Sequence, residues 1–270
     1  MEYARLTPSP DLADVVEHYW VAVAPDPPGE VRAVLIPNGR STVQFCLATA
    51  GYRCAAGASR AEINADVFLP ATEKPYVITQ RGASHYVGVQ FTPTGARALW
   101  LQAPAVPELV RSVARTEPTK QSLASDPKVA LDEWLRSESR RARSGRSERQ
   151  GRALAASAAA MIDADPPAVS VSELASALGV SPATLYRAFV RWVGVSPKAY
   201  ASIRRFFAFT SGLLHRVGGD TQAMLAAARG YADESHAARE FRRHTGVSPT
   251  EFRDRLDGIA LLMFGPSESE

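Results

Sequence analysis

Two arginines occupy equivalent positions in an internal repeat near the carboxyl end of the chain. Arg187 and Arg239 are 52 residues apart, and a phenylalanine follows each of them two residues later, at Phe189 and Phe241. A Gly-Val-Ser-Pro sequence comes after each phenylalanine. Arginine is the side chain best suited to a bidentate hydrogen bond with the edge of guanine. The repeat therefore indicates two copies of one recognition unit.

Each arginine falls on the second of two short helices that the local pattern predicts. In the first unit, a helix over residues 172–178 ends at Gly179, which can adopt the left-handed conformation. Ser181 then serves as the N-cap with Pro182 in the first turn, so a second helix begins at once. In the second unit Asp233 is the corresponding N-cap. Two helices joined by a tight turn are typical of a helix-turn-helix unit.

The apolar residues of each second helix recur at helical spacing, which predicts that the polar residues between them face outward. In a helix-turn-helix unit the second helix enters the DNA major groove, where its outward residues reach base edges. A connecting helix over residues 196–214, about 28 Å long, could hold the units about one DNA turn (~34 Å) apart. The alternative, two helical hairpins with solvated faces, is disfavoured by the duplicated caps and arginines. The predicted outward residues are Thr184, Arg187 and Arg191 in the first unit and Ser235, Arg239 and Arg242 in the second.

The positive charge of the chain is concentrated in the same half. The 270 residues carry a formal net charge of +3, but residues 1–135 carry −2 and residues 136–270 carry +5. Residues 181–255 hold 12 Lys and Arg against 6 Asp and Glu. This asymmetry favours a polyanionic partner for the C-terminal half.

Composition excludes several classes of protein. With 46% hydrophobic and 22% charged residues, the chain can bury a core and is not mostly disordered. The apolar run at residues 259–264 is far shorter than the roughly 20 residues that span a membrane, and the N-terminus lacks a secretion signal. Cys46 and Cys54 cannot form a disulfide framework or a four-cysteine zinc site. We therefore expect a cytoplasmic protein without a membrane partner.

The first hundred residues predict short strands. Runs of β-branched and aromatic residues alternate with turn formers, and Asn38-Gly39 is the strongest hairpin signal. We expect one mostly antiparallel sheet, closed by a helix over residues 94–101. The predicted strands cover residues 19–23, 34–36, 42–47, 67–69, 76–79 and 86–91.

A basic segment separates this unit from the helical repeat. Residues 104–135 are helical in character but interrupted by prolines, and residues 136–152 hold seven arginines. The arginine-rich segment is either a solvated linker or a helix that loses its order near Gly145. We predict four regions, namely a β-rich sensor or dimerisation domain at 1–103, a helical connector and basic linker at 104–152, a DNA-binding domain at 153–257 and a tail at 258–270.

The C-terminal motifs resemble those of the AraC/XylS family of bacterial transcription regulators. The family pattern is Ser-x-x-x-Leu-x-Arg-x-Phe, then Gly-x-Ser-Pro-x-x-Tyr, a linker helix, and a second unit that closes in Gly-x-Ser-Pro-x-x-Phe-Arg. The first unit matches from Ser181 to Tyr200 and the second from Gly230 to Arg253. The resemblance implies two helix-turn-helix subdomains joined by one helix, with recognition helices in successive major grooves. One departure is His236-Ala237, where the family usually has an aromatic pair.

The resemblance implies a regulator that binds double-stranded DNA. It also implies RNA polymerase and a second copy of the chain as further partners. It places base contacts on Ala183, Tyr186 and Arg187 in the first recognition helix and on Glu234, Ser235, His236 and Arg239 in the second. The predicted DNA-binding set is completed by Thr184, Arg191 and Arg243.

The N-terminal segment is similar to a β-rich domain found ahead of AraC-type modules. The similarity lies in His-Tyr-Trp at residues 18–20, Leu-Ile-Pro-Asn-Gly at 35–39 and residues 89–96. It implies a cupin-like unit that senses a small-molecule effector or mediates dimerisation. The expected fold class is therefore α+β in two domains, with an antiparallel β-rich N-terminal domain and an all-α C-terminal domain.

Other chemistry is sparse. The five histidines include no pair at metal-binding spacing, and neither a glycine-rich phosphate loop nor a Ser/His/Asp arrangement is legible. We expect no catalytic residue, no metal and no cofactor. Cys46 could line a ligand cavity or respond to oxidation, although a role as a small strand residue is favoured.

Two further hypotheses concern other classes of protein. An enzyme or small-molecule-binding protein acting through the N-terminal domain would need convergent polar residues there, and an oligomerisation adaptor would use residues 259–264. The candidate polar residues are Gln44, Arg81, His85 and Gln90, and the residues of a candidate aromatic pocket, or else of the core, are Trp20, Tyr86, Phe91 and Trp100.

Overall fold

The computed structural model describes residues 2–27, 29–100, 118–142, 145–166, 170–214, 222–246, 248–249 and 252. Strands come first along the chain and helices follow, which confirms the predicted α+β class. A 3-10 helix, Pro10–Leu12, lies between the first two strands. The strands are β1 (Glu2–Leu6), β2 (Val16–Ala24), β3 (Val31–Leu35), β4 (Thr42–Cys46), β5 (Gly51–Ala55), β6 (Glu62–Asn64), β7 (Val67–Leu69), β8 (Tyr76–Gln80) and β9 (Ser84–Phe91).

These strands form two antiparallel sheets rather than the single sheet predicted. Their orders are β1-β2-β9-β4-β7 and β3-β8-β5-β6. The predicted hairpin at Asn38-Gly39 is wrong, because β3 pairs with β8 while β4 pairs with β7 and β9. Gly39 does adopt a positive φ of 78°, but it does so at a corner where the chain passes from one sheet to the other.

The N-terminal hydrophobic core includes a helix from beyond the β-strands. Leu131 is fully buried in the same cluster as Phe45 and Phe91. The Tyr19 hydroxyl donates a hydrogen bond of 2.7 Å to Asp132 Oδ1, which ties this helix to β2. The helices that follow the strands are α1 (Gly95–Leu99), α2 (Lys120–Ser125) and α3 (Pro127–Arg141).

The arginine-rich segment is helical on both sides of Gly145. Helix α3 continues to Arg141, and Gly145 is the N-cap of α4 (Arg146–Ala164). Arg136 pairs with Asp11 at 2.8 Å and Arg152 pairs with Asp14 at 3.0 Å, so both arginines contact the N-terminal unit. Over its described residues the segment is therefore helical rather than a solvated linker, and the break in the helix lies near Gly145 as the second alternative predicts.

The pKa of His18 leads to an expected loss of stability in mild acid. Burial, together with the positive charge of Arg5, lowers the pKa of His18 to about 4. The folded protein therefore keeps this ring neutral at pH 5, whereas the unfolded chain takes up the proton near pH 6.5. Where the unfolded state binds more protons than the folded state, stability decreases as the pH is lowered. We therefore expect the free energy of unfolding to drop by about 2–3 kcal/mol as the pH is lowered from 6.5 to 4.

Denaturant titrations at pH 7, 6, 5 and 4 check this expectation. A His18→Gln variant should lose less stability over the same range, since its side chain does not titrate. Equal losses in the two proteins would show that other groups control the acid sensitivity.

The C-terminal helices form two hydrophobic clusters that share one helix. Phe189 and Tyr200 are buried in the first cluster, and Phe206 and Phe241 are buried in the second. Helix α7 supplies both Tyr200 and Phe206, so it joins the two clusters. Ile36, from the corner after β3, is also buried in the second cluster. The helices after α4 are α5 (Val171–Ala177), α6 (Pro182–Val193), α7 (Pro197–Leu214), α8 (Gln222–Ala228) and α9 (Glu234–Thr245).

None of the described helices is long and apolar enough to cross a membrane. The apolar run at residues 259–264 and the rest of the predicted tail lie outside the described residues.

Candidate nucleic-acid interface and internal cavity

The first helix-turn-helix unit follows the predicted local signals. Gly179 adopts a positive φ of 67° between α5 and α6. Ser181 Oγ accepts a hydrogen bond of 3.2 Å from the Thr184 amide at the start of α6, with Pro182 in the first turn. The apolar face of α6 is buried, as predicted, through Leu185, Phe189, Trp192 and Val193.

The second unit repeats this arrangement. Asp233 Oδ1 accepts a hydrogen bond of 2.6 Å from the His236 amide, which makes Asp233 the N-cap of α9. Ala237 and Phe241 are fully buried. Although Ala237 is smaller than the aromatic residue that the family usually has there, it is packed in a cluster of aromatic rings that includes Tyr231.

Helix α7 holds the two units together without a break. It runs for 18 residues, or about 27 Å at 1.5 Å per residue. Gly212 neither ends nor interrupts it. A Cβ at position 212 would lie 3.3 Å from Leu225 Cδ2, so the glycine permits a close approach of α8 to α7.

The equivalent arginines of the repeat are both exposed. Arg187 on α6 and Arg239 on α9 are solvent-accessible, and neither has an ion pair or side-chain hydrogen bond with another described residue. Their helices present further exposed residues of the predicted set, namely Ala183, Tyr186 and Arg191 on α6 and Glu234, Ser235 and Arg243 on α9, while Thr184 and His236 are half-buried.

The Thr184 hydroxyl hydrogen-bonds its own N-cap, Ser181, and three further residues of the predicted set have partners elsewhere in the protein. Arg191 Nη2 lies 3.0 Å from Glu148 Oε1 on α4. Arg243 Nη2 lies 2.6 Å from Glu73 Oε2. The ring of His236 packs against Tyr231, and its Nδ1 accepts a hydrogen bond from the backbone. These partners distinguish the three residues from Arg187 and Arg239.

A polar cluster, which we term the interdomain cluster, joins the β-sheet unit to the helices. Arg40 pairs through Nε with Glu17 at 2.9 Å and through Nη2 with Asp163 at 2.8 Å, and its Nη1 donates to the Tyr200 hydroxyl. Tyr200 in turn donates to Asp163 at 2.9 Å, and Arg204 Nε lies 2.7 Å from the same carboxylate. Burial alone would lower the pKa of Arg40, but Tyr200, Glu17 and Asp163 raise it, so the guanidinium stays charged.

A second contact connects the β7–β8 loop to helix α9. Besides the ion pair of Glu73 with Arg243, the carbonyl oxygen of Glu73 lies 3.0 Å from His244 Nδ1. Burial lowers the pKa of His244, and a neutral ring with a proton on Nδ1 can donate to that carbonyl. The loop is therefore fixed to the helix that carries Arg239.

A cavity of about 530 Å³ lies within the β-sheet unit, lined by residues of both sheets. Of the predicted aromatic pocket, Trp20 and Tyr86 line this cavity, whereas Phe91 and Trp100 pack edge-to-face in the core, with ring centroids 5.6 Å apart. The candidate polar residues Gln44 and Gln90 also line it. Cys46 is buried outside the lining, and its Sγ donates to a backbone carbonyl.

The cavity wall continues into both contacts with the helices. Asn38 and Arg40 belong to the lining, and Arg204 Nη1 donates a hydrogen bond of 2.9 Å to the Asn38 carbonyl. On the other side Thr72 lines the cavity next to Glu73. Sequence patterns missed Arg40, Asp163 and Glu73, because contacts between residues so distant along the chain leave no periodic signal.

Three family models match parts of the chain. A helix-turn-helix domain matches residues 174–255, which run from α5 past α9. A domain of unknown function (DUF6597) matches residues 4–107, and the model of bacterial regulatory proteins of the tetR family matches residues 153–190. No curated protein matches the chain.

Solved structures of regulators are similar at low sequence identity. An apo single-residue variant of ToxT from Vibrio cholerae strain SCE256 is 9% identical, covers 88% of this chain and 98% of its own, and has a TM-score of 0.50. This likeness shows a shared fold. ToxT of the same strain with an unsaturated fatty acid bound is 9% identical and covers 91% of this chain and 100% of its own, with a TM-score of 0.47. An AraC-type regulator from Chromobacterium violaceum is 21% identical over 41% of this chain and 96% of its own, with a TM-score of 0.35.

Proposed function

We propose that the chain is a DNA-binding transcription regulator of the AraC type, and that α6 and α9, within the segment matched by the helix-turn-helix model, are its two recognition helices and enter successive major grooves of one duplex. The observation that carries this proposal is the equivalent placement of Arg187 and Arg239. Both are exposed on capped helices and lack protein partners among the described residues. Free guanidinium groups at these positions are available for guanine edges or phosphates.

We propose that the base contacts come from the first two turns of the two recognition helices. In α6 they are Ala183, Tyr186 and Arg187, with Thr184 and Arg191 beside them. In α9 they are Glu234, Ser235, His236 and Arg239. Arg243 joins this set only when it leaves Glu73, so its contact with DNA depends on the β7–β8 loop.

We assign the DNA-binding domain to residues 153–257 and the sensor domain to residues 1–103, whose strands β4 and β9 pack with α3. The activity that we propose is regulation in the cytoplasm rather than catalysis. Contact with RNA polymerase and homodimer formation follow as further proposals from the AraC/XylS resemblance.

Selection of binding sites from random DNA with the full chain tests the proposed docking. Two recognition helices in successive grooves should enrich sites with two conserved elements centred about 10 base pairs apart. Enrichment of a single short element, or of none at moderate salt, would contradict the proposal.

We also propose that the cavity is the site of the small-molecule effector. Its volume is within the range of ligand pockets, and its wall reaches α4 and α7 through Arg40 and α9 through Glu73. Arg40 lies in the β3–β4 loop and Glu73 lies in the β7–β8 loop. A ligand that displaces either of these loops would alter the contacts that hold the helices. This arrangement supplies a direct physical route from the cavity to both recognition units.

A Glu73→Gln variant should bind DNA more tightly, by about threefold to tenfold. The substitution removes the charge that pairs with Arg243. The freed arginine can then contact one additional phosphate, and such a contact raises DNA affinity by about this factor. Fluorescence anisotropy at a series of salt concentrations measures the affinity. The slope of log affinity against log salt concentration should become steeper by about one released counterion.

The matched control is Glu62→Gln, which removes a carboxylate that pairs with an arginine within the β-sheet unit. Unchanged affinity of the Glu73 variant, or an equal gain in the control, would show that the ion pair does not restrain Arg243.

A further inference from the structure

The cavity contains almost no charge that a ligand could use. Among the described residues that line it, only Asp26 and Arg40 are charged. The side chain of Arg40 is only 6% exposed and is already bound to Glu17, Asp163 and Tyr200. Asp26 is exposed at the rim and would repel an anion. A carboxylate ligand would therefore be buried without a cation, which is strongly unfavourable.

Two buried amides lie in the wall of the cavity. Gln44 and Asn64 are 6% and 4% exposed, respectively, and both line it. Gln44 Nε2 donates to Asn64 Oδ1 at 2.9 Å and to the Ala65 carbonyl at 3.2 Å. Because both neighbours are acceptors, the orientation of the Gln44 amide is fixed.

That orientation leaves the Gln44 Oε1 acceptor free. In the described part of the chain Gln44 Oε1 has no hydrogen-bond partner, whereas the side-chain amide of Asn64 donates to the Tyr86 hydroxyl. The nearby Tyr86 hydroxyl is occupied, since it accepts from the Gly51 amide and donates to the Asn64 carbonyl, each at 3.0 Å. Buried amide groups normally find partners, so Gln44 Oε1 is suited to a ligand group that donates a hydrogen bond.

The remaining wall is mainly apolar. Trp20, Ala33, Leu69 and Ile78 line the cavity around the two amides. Such a surface favours an aliphatic or aromatic body over a polar one.

We propose that the effector is an uncharged, mainly apolar molecule with one amide-like group that donates a hydrogen bond to Gln44 Oε1. This assignment rests on the proposed role of the cavity as the effector site. It specifies the ligand class for that site and separates it from anionic lipids, whose carboxylate would find no free cation here.

Calorimetric titration of the full chain with matched probes tests the ligand class. The probes are octanamide with octanoate, decanamide with decanoate, and naphthalene-2-carboxamide with naphthalene-2-carboxylate. At least one amide should bind ten or more times more tightly than its carboxylate. Equal or tighter binding of the carboxylates, or no binding of any amide below millimolar concentration, would overturn the assignment.

Variants locate the binding at the amide pair. Gln44→Leu should reduce the affinity for the best amide about tenfold, whereas Gln121→Leu, an equal change at an exposed position of α2, should leave it unchanged. Ala33→Leu fills the cavity without removing an amide and should reduce the binding of all probes; this variant keeps the test decisive if Gln44→Leu does not fold. Full affinity in the Ala33 variant would place the ligand elsewhere and overturn the proposal.

DNA binding by the unliganded protein separates this inference from the proposed function. Intact DNA binding without amide selectivity would overturn only the ligand class. Amide selectivity without specific DNA binding would overturn the proposed docking and leave the ligand class standing.

Discussion

Replacing both Arg187 and Arg239 with alanine should weaken specific DNA binding by at least about 30-fold. Each arginine at a base edge contributes about 1–3 kcal/mol of specific affinity, and the two lie on separate recognition helices, so their losses should be nearly additive. Both side chains are exposed, so the fold should persist. Circular dichroism and an unchanged unfolding midpoint would confirm that persistence.

Fluorescence anisotropy with the selected site and with a scrambled duplex measures this loss. The matched control is the double variant Arg32→Ala with Arg60→Ala, which removes the same charge from exposed positions of the β-sheet unit. If the control loses as much affinity as the recognition-helix variant, net charge rather than base recognition explains the effect. Lysine at positions 187 and 239 should restore binding to the scrambled duplex but not discrimination, because lysine cannot form the planar bidentate contact.

Asp163→Ala should lower the free energy of unfolding by about 2–4 kcal/mol. Asp163 accepts hydrogen bonds from Arg40 and Tyr200 and lies beside Arg204. Without this carboxylate, the buried Arg40 guanidinium keeps only Glu17 as an anionic partner. Removal of one member of a buried ion pair costs about 3–5 kcal/mol, and the partial exposure of Asp163, at 23%, reduces the expected value.

Denaturant unfolding of the full chain measures this loss, with Asp165→Ala as the control. Asp165 lies two residues further along, at the end of α4, and is exposed. Its removal should change stability by less than about 1 kcal/mol. Equal stability of the two variants would show that the interdomain cluster does not hold the protein together.

The helix-turn-helix units could be predicted because their signals are local. Gly179, Ser181 and Asp233 each determine backbone geometry within a few residues, and the structure places each in the predicted role. The spacing of Phe189 and Phe241 likewise determines which face of each helix is buried. Such signals depend on neighbours one helical turn away, so the sequence alone contains them.

The sheet arrangement could not be predicted in the same way. Strands β1, β5 and β6 contain charged or small residues and lack clear alternation, so hydrophobic pattern missed them. β1 and β6 are edge strands, where solvent on one side permits polar residues. Locally, Asn38-Gly39 predicts a hairpin, but pairing with the distant strands β8 and β9 determines where β3 and β4 lie.

The cavity and the interdomain cluster also depend on distant residues. Gln44 and Asn64 belong to different strands, and Arg40 and Asp163 belong to different halves of the chain. Each residue by itself looks like an ordinary polar residue of a strand, loop or helix. Only the packing of the two sheets and of α4 brings their side chains together.

Ile36 has a practical consequence for work with the isolated C-terminal half. This residue comes from the β-sheet unit but is buried against the aromatic cluster around Phe206 and Phe241. A recombinant fragment that starts after residue 145 would present that apolar surface to water, and it would also leave Asp163 and Arg204 without Arg40 and Asn38. Exposed apolar patches of this kind promote self-association, so the helices are best expressed together with the strands that cover them.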